Sequence, residues 1–315
     1  LCYMTEMLYV AASDRLPIPL AVSCRALSGP ININNDHSDA MGVRDAGWLM
    51  LFAETNQEAY DNYLQAMPIA EHPDVRLPIM VCQDGFITSH SVENIELLED
   101  EAVKPFVGEY TPEHYLLKHE NPLAVGPYGV SAYYMEAKMA QAQAMVNAKQ
   151  VILDVGKRFA ALTGRQYGLL ERYRMEDAEE AIVLIGSSAG TARVCVDVLR
   201  AQGRRVGMIK VRVYRPFPAE ELAEALAHVQ AVAVMDKCES FSTHGGPLGS
   251  ELRSALYDAQ LHPLLINFVY GLGGRDFAVT DCESVFDALR EARKTGSAQP
   301  VYRHLGQRGG DLHGL

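Results

Sequence analysis

Short apolar runs alternate with helical patterns along the first part of the chain. A helical pattern at residues 3–13 is followed by an apolar run at 18–24 and another at 48–53. A helical pattern at 56–71 and a third apolar run at 78–82 come next. Helices that alternate with short, continuously apolar strands predict a parallel sheet that is covered on both faces.

A second alternation begins near residue 180 and predicts a second doubly wound unit. Its strands are expected at residues 181–185, 206–211, 231–235 and 264–269, with helices after them, the last at 283–292. Because a chain of 315 residues is longer than a single core usually supports, two domains are expected.

The region between the two alternations predicts a connection. Residues 93–130 lack periodicity and contain several prolines, which indicates a connector and not a domain core. A long helical pattern at 131–164 ends at Gly164, and we expect its Met135, Met139 and Met145 to pack. The predicted division is therefore 1–130, a helical connector at 131–178, and 179–315.

Composition and charge exclude several classes of protein. The chain is 48% hydrophobic and 22% charged, with a net charge of −12. Nucleic acid and an anionic membrane surface are not expected as partners, because both require clustered Lys and Arg. No apolar stretch approaches the roughly 18 residues that a membrane helix requires, so we do not expect the chain to span a bilayer. Because most of the scattered cysteines are expected to be reduced, we predict a cytoplasmic protein.

The six cysteines are scattered and contain no Cys-x-x-Cys pair, so their spacing predicts neither a zinc site nor an iron–sulfur cluster. We expect most of them to be reduced core residues. The chain also lacks a Gly-x-Ser-x-Gly elbow, which argues against a hydrolase.

The loop after the first apolar run concentrates chemically active side chains. It contains Arg25, Asp36, His37 and Asp39, a set that suits the binding of a small anion. The alternative is a tight turn in which Asp36 and Asp39 cap backbone N–H groups. We expect Ile31 and Ile33 of the same loop to line a dry pocket, with a place in the core as the alternative, and Asn32 is a further candidate residue of this loop.

Two further loops permit sites but indicate them weakly. The junction at residues 186–191 places Gly and Ser before a helix, where a phosphate can bind, but it lacks the spacing of a known phosphate motif. The loop at 83–90 follows a predicted strand and is a second candidate wall of the site.

Several strings of the sequence, in order, resemble one family. Residues 25–33 (Arg-Ala-Leu-Ser-Gly-Pro-Ile-Asn-Ile), 36–39 (Asp-His-Ser-Asp), 44–48, 215–220 and 270–276 are similar to the alpha subunit of pyruvate:ferredoxin oxidoreductase and to the wider 2-oxoacid:ferredoxin oxidoreductases. The resemblance implies an α/β fold. A partial pyrimidine-type thiamine diphosphate-binding domain with a parallel sheet would be followed by a doubly wound domain like the C-terminal domain of transketolase.

The resemblance also implies a reaction and an assembly. The family converts a 2-oxoacid and coenzyme A to acyl-CoA and carbon dioxide, and it passes electrons to ferredoxin; the 2-oxoacid expected here is pyruvate. The implied partners are beta, gamma and delta type subunits. They would share thiamine diphosphate and Mg²⁺ with this chain and would alone hold the [4Fe-4S] clusters and contact ferredoxin. The alternatives are a subunit for another 2-oxoacid and a non-catalytic scaffold subunit.

Residue roles follow from the same resemblance. Arg25 matches the arginine that binds the substrate carboxylate, and its alternative is an ion pair with Asp36 or Asp39. Asn35 stands where many pyruvate enzymes have glycine, which leaves the exact 2-oxoacid open. The family's glutamate that contacts the aminopyrimidine would lie upstream of Leu1, so we expect the chain to lack an N-terminal portion of the family.

Overall fold

The computed structural model describes residues 1–126 and 128–309, which contain two sheets with helices packed on them. The strands are β1 (Pro19–Cys24), β2 (Leu49–Phe52), β3 (Ile79–Asp84), β4 (Leu170–Tyr173), β5 (Glu180–Leu184), β6 (Val206–Val211), β7 (Val213–Arg215), β8 (Ala231–Asp236), β9 (Leu264–Val269) and β10 (Tyr302–His304). The α-helices are α1 (Thr5–Ser13), α2 (Ser38–Met41), α3 (Asn56–Ala70), α4 (Asp100–Val107), α5 (Ser131–Thr163), α6 (Ser188–Ala201), α7 (Ala219–Leu226), α8 (Pro247–Asp258) and α9 (Val279–Thr295).

The two sheets are mainly parallel, as the alternation predicts. The first has the order β1-β3-β2-β7 and the second the order β10-β9-β8-β5-β6-β4. Strands β2, β5, β6 and β8 are buried along their whole length, which explains why their sequences are mainly apolar. The predicted α/β fold with two sheets is confirmed.

The two sheets share core and backbone contacts. One apolar cluster contains Phe52 and Met80 of the first sheet together with Val183 and Val234 of the second. Strand β7, which follows β6 directly in the chain, leaves the second sheet and pairs antiparallel with β2. The first sheet therefore obtains its fourth strand from the C-terminal half of the chain.

The polar face of α3 is buried against the end of β6. Arg212 is 2% exposed, and its guanidinium donates to Asn62 Oδ1 at 2.8 Å, Gln65 Oε1 at 3.2 Å and the carbonyl of Gly168 at 3.1 Å. The guanidinium also lies over the Tyr167 ring, 5.1 Å from its centroid. Burial lowers the pKa of Arg212 to about 10. This face ties α3 to the second sheet.

Three expectations from the sequence are wrong. Residues 93–130 contribute to a core, because Phe106 of α4 is buried and packs against Phe159 with ring centroids 5.4 Å apart. The last helix starts at Val279, four residues before the predicted start. Met135 and Met139 of α5 are 68% and 60% exposed, so they do not pack within this chain, although Met145 does.

Other expectations agree with the structure. Helix α5 ends before Gly164, whose φ of 75° is the left-handed conformation that glycine adopts most easily. The six cysteines are unpaired, and all except Cys2 are buried. Over the described ranges, 1–126 and 128–309, no helix is both long and apolar enough to cross a membrane.

Candidate functional site

Arg25 lies at the carboxyl end of β1 with an exposed side chain. Its Nη1 donates to the carbonyls of Ala26 at 3.0 Å and Asn32 at 3.2 Å. Among residues 1–126 and 128–309, Nε and Nη2 of Arg25 make no hydrogen bond, and the guanidinium makes no ion pair. The alternative of an ion pair with Asp36 or Asp39 is therefore wrong. The loop orients the guanidinium and leaves the edge formed by Nε and Nη2 available to a carboxylate.

Asp36 and Asp39 accept hydrogen bonds from backbone N–H groups. Asp36 Oδ1 accepts from Ser38 at 2.9 Å, and Asp39 accepts from Ala40 at 2.6 Å and from Arg25 at 3.1 Å. Burial raises the pKa of Asp39 above its ordinary value, although these two N–H groups lower it in part. Both carboxylates hold the loop in shape, as the tight-turn alternative expects.

The loop rests on a glycine-rich turn of the second sheet. Gly273 N–H donates to Asp36 Oδ2 at 3.2 Å, and Asn32 Nδ2 donates to the Gly273 carbonyl at 3.1 Å. Gly274 N–H donates to the Asn35 carbonyl at 2.6 Å. Gly273 has a φ of 61°, and a Cβ on it would lie 2.5 Å from Asn32 Nδ2. Glycine is therefore required for this close approach, and Asn32 braces the loop.

The apolar side chains of the loop point away from the core. Ile31 and Ile33 are 83% and 57% exposed, so the alternative that they belong to the core is wrong. Phe86 and Ile87 are also exposed, and they follow β3, whose last residue pairs with the last residue of β1. Two loops with exposed apolar residues thus begin side by side at the carboxyl edge of the first sheet.

His37 belongs to a buried charge cluster that joins both sheets. His37 Nε2 lies 2.7 Å from Asp84 Oδ1, and Lys237 Nζ donates to Asp84 Oδ2 at 2.7 Å. Ser187 donates to the same oxygen through Oγ at 2.5 Å and through its backbone N–H at 3.0 Å. These four residues, His37, Asp84, Ser187 and Lys237, are the buried cluster named below.

The electrostatics of the buried cluster favour an ionised Asp84. Burial alone would raise the pKa of Asp84, but the charge of Lys237 and the contact with His37 outweigh it and hold this pKa well below its ordinary range. The Asp84 carboxylate also lies at the N-terminus of α6, next to Ser187, where the sequence permits a phosphate. Gly186 has a φ of 78°, and a Cβ there would lie 2.8 Å from Asp84 Oδ1. An anion from the chain itself therefore occupies this helix terminus.

A second carboxylate, Asp236, lies at the N-terminus of α8. It accepts from the N–H groups of Leu248 at 2.9 Å and Gly249 at 3.0 Å. Burial raises the pKa of Asp236, and these N–H groups lower it in part. A Cβ on Gly246 would collide with the carboxyl group of Asp236, so glycine allows Asp236 to approach this closely.

Reasoning from the sequence named His37 but did not single out its three partners. Asp84 lies 47 positions from His37 and 153 from Lys237, and no local pattern connects such distances. One signal was present, because each partner is a polar residue at or just after the carboxyl end of an apolar strand. Asp84 belongs to the loop at 83–90 that was expected to form a second wall.

The chain matches two family models. Residues 1–157 match the family described as pyruvate flavodoxin/ferredoxin oxidoreductase, thiamine diphosphate-binding, and residues 178–282 match pyruvate:ferredoxin oxidoreductase core domain II. Both descriptions define one class, oxidoreductases that work with ferredoxin or flavodoxin.

Similar proteins point to the same class. The "pyruvate synthase subunit PorA" of Thermotoga maritima is 48% identical over 308 residues, which are 98% of this chain and 78% of that protein. The "ketoisovalerate oxidoreductase subunit VorA" of Pyrococcus abyssi is 39% identical over 94% of this chain and 74% of that protein. The chain belongs to the pyruvate:ferredoxin oxidoreductase family and is an oxidoreductase subunit.

A solved structure has the same fold. The 2-oxoglutarate:ferredoxin oxidoreductase of Magnetococcus marinus, determined with 2-oxoglutarate, coenzyme A and succinyl-CoA bound, aligns with a TM-score of 0.59 at 16% identity. The alignment covers 92% of this chain and 51% of that chain, so the present chain spans about half the length of that structure.

Proposed function

We propose that this chain is the alpha-type subunit of a pyruvate:ferredoxin oxidoreductase and that Arg25 binds the carboxylate of the 2-oxoacid. The observation that carries the proposal is the geometry of Arg25. Its Nη1 is held by two loop carbonyls, Nε and Nη2 have no partner among residues 1–126 and 128–309, and the residue is exposed at the carboxyl edge of a parallel sheet. Arginine suits this role because its planar fork binds a carboxylate in two places and stays charged.

Pyruvate is the substrate we favour. The PorA subunit of Thermotoga maritima is 48% identical to this chain, whereas the VorA subunit of Pyrococcus abyssi is 39% identical. Ketoisovalerate is the second candidate because the VorA match also covers 94% of the chain. Measuring kcat/KM for pyruvate, ketoisovalerate and 2-oxoglutarate with the assembled complex decides between them. A higher value for a branched or dicarboxylic 2-oxoacid would contradict the choice of pyruvate.

The residues of this chain suit the rings of thiamine diphosphate but not its metal-bound diphosphate. Exposed Ile31, Ile33 and Phe86 offer an apolar surface that suits the cofactor rings and excludes water from the reacting carbon. In contrast, residues 1–126 and 128–309 contain no group of three or more His, Cys, Asp or Glu side chains placed to hold a metal ion. We propose that a partner subunit holds Mg²⁺ and the diphosphate. The bound cofactor supplies the electron sink for decarboxylation.

The proposed assembly keeps electron transfer on other chains. Beta, gamma and delta type subunits would carry the [4Fe-4S] clusters and contact ferredoxin, while coenzyme A and the 2-oxoacid enter a shared site. We place the complex in the cytoplasm and keep the domain division at 1–130, 131–178 and 179–315. Iron and sulfide analysis of the separated subunits tests this assignment, because stoichiometric iron on this chain would contradict it.

Arg25→Lys tests the substrate role directly. Lysine keeps the charge but loses the planar fork, so transition-state binding should weaken by about 1.5 to 3 kcal/mol, measured as a fall in kcat/KM for the preferred 2-oxoacid. Arg76→Lys is the matched control, since Arg76 pairs only with the exposed Glu113 among acidic residues of the described chain. An unchanged kcat/KM for Arg25→Lys, with assembly intact by size-exclusion chromatography, would exclude this role.

A further inference from the structure

We propose that Lys237 is a positioning residue that holds Arg25 and its loop, residues 25–39, in the arrangement that binds substrate. The inference rests on the proposed function, in which Arg25 binds the 2-oxoacid. Lys237 lies just after β8 of the second sheet, whereas the loop follows β1 of the first. The buried cluster therefore connects the second sheet to the loop.

Lys237 contacts His37 by two routes. Its backbone carbonyl accepts from the His37 N–H at 2.7 Å. Its ammonium donates to Asp84 at 2.7 Å, and Asp84 in turn contacts the His37 ring at 2.7 Å. His37, Asp84 and Lys237 are 2%, 0% and 4% exposed, so water does not compete for these bonds.

The position of His37 determines that of Arg25 through its neighbours. Asp36 and Asp39 flank His37 at short range, and the Asp39 carboxylate accepts from the backbone N–H of Arg25 at 3.1 Å. Asp36 accepts from Gly273, which fixes the other side of the loop. A displacement of His37 therefore shifts the start of the loop, and the guanidinium of Arg25 moves with it.

A purely structural role is the alternative, and the chain offers a matched control for it. Lys210, on β6 of the second sheet, is also buried and donates to Glu54 at 2.9 Å and Glu58 at 3.1 Å. These two carboxylates lie after β2 and in α3. Lys210 thus joins the same two sheets through buried ion pairs, and its partners lie outside the loop at residues 25–39.

The experiment compares Lys237→Met with Lys210→Met in the complete complex with its partner subunits. Both variants should melt at lower temperature, because each removes the ammonium that pairs with a buried carboxylate, Asp84 in one case and Glu58 in the other. Only Lys237→Met should raise KM for the preferred 2-oxoacid, by about tenfold, which equals about 1.4 kcal/mol. It should also speed hydrogen exchange in peptides spanning residues 25–39, while Lys210→Met leaves both readouts near wild type.

His37→Gln provides a second variant that keeps the ion pair between Lys237 and Asp84. It should give the same rise in KM and faster exchange in the loop even if Lys237→Met does not assemble. An equal rise in KM for Lys210→Met, or unchanged KM and exchange in Lys237→Met and His37→Gln, would overturn the proposal. Faster exchange with unchanged KM would also overturn it, because the loop would then move without affecting substrate.

The two proposals fail in distinguishable ways. A wild-type complex without activity on any 2-oxoacid would contradict the proposed function. The exchange comparison would still show whether Lys237 holds the loop. Activity in the wild type with no difference between Lys237→Met and Lys210→Met would contradict the positioning role alone.

Discussion

Asp84→Asn should strongly destabilise the protein, because it removes the buried negative charge and leaves the side-chain volume almost unchanged. Lys237 Nζ lies 2.7 Å from Asp84 Oδ2, and only 4% of Lys237 is exposed. Water therefore cannot solvate the Lys237 ammonium once the negative charge of Asp84 is removed. Breaking a buried ion pair by removing one partner costs about 3 to 5 kcal/mol. At about 2 °C per kcal/mol for a chain of this size, the melting temperature should fall by about 6 to 10 °C.

The assay is thermal and denaturant unfolding of wild type and variant at neutral pH. Asp177→Asn is the control, because Asp177 forms an exposed pair with Arg200 at 2.7 Å and such pairs contribute little. The double variant Asp84→Asn with Lys237→Met should be more stable than Asp84→Asn alone, since it removes the uncompensated ammonium. Losses that simply add in the double variant would refute this reasoning.

Acid provides a further check on the same carboxylate. Because the folded-state pKa of Asp84 lies below its unfolded value of about 3.9, its ionised form stabilises the fold above that pH. This contribution is lost progressively as the pH falls from the unfolded pKa of about 3.9 towards the depressed folded pKa. Between about pH 5 and pH 3, wild type should therefore lose more stability than Asp84→Asn. Parallel losses would show that the pKa of Asp84 is not depressed.

Three more predictions follow from the packing. Gly186→Ala should cost more than Gly203→Ala in denaturant unfolding: both have positive φ, which costs about 1 to 2 kcal/mol, but only Gly186 lies against Asp84. Arg212→Lys should destabilise by about 1 to 3 kcal/mol, because an ammonium cannot reach all three acceptors of the guanidinium. Alkylation of the native protein should label Cys2 first by mass spectrometry. The other five cysteines are buried, and burial raises the pKa of Cys238 to about 12.

The sequence predicted those strands whose own composition determines them. Strands such as β5, β6 and β8 are apolar apart from one charged residue each, and a fully buried parallel strand favours that composition. Strands β4, β7 and β10 have three or four residues, and each includes an arginine. Because such short segments become strands only through the neighbour they pair with, no local pattern distinguishes them from loops.

For the candidate site too, the sequence identified only the residues that lie together in one segment. The loop 25–39 is chemically unusual in itself, so its residues were identified from the sequence. The buried cluster was not, because Asp84, Ser187 and Lys237 converge only when the carboxyl edges of two sheets meet. The exposed fork of Arg25 also depends on two backbone carbonyls, which a sequence does not place.

The strand that crosses between the sheets has a consequence for how the chain can be divided. Cutting the chain near residue 178, between the two matched family regions, would remove β7 from the edge of β2. The residues of β2 are all buried, so an N-terminal fragment would present an unpaired, wholly apolar strand edge to solvent. We expect that fragment to self-associate when expressed alone. During synthesis, the first sheet cannot close until its last strand has left the ribosome, which makes its completion late.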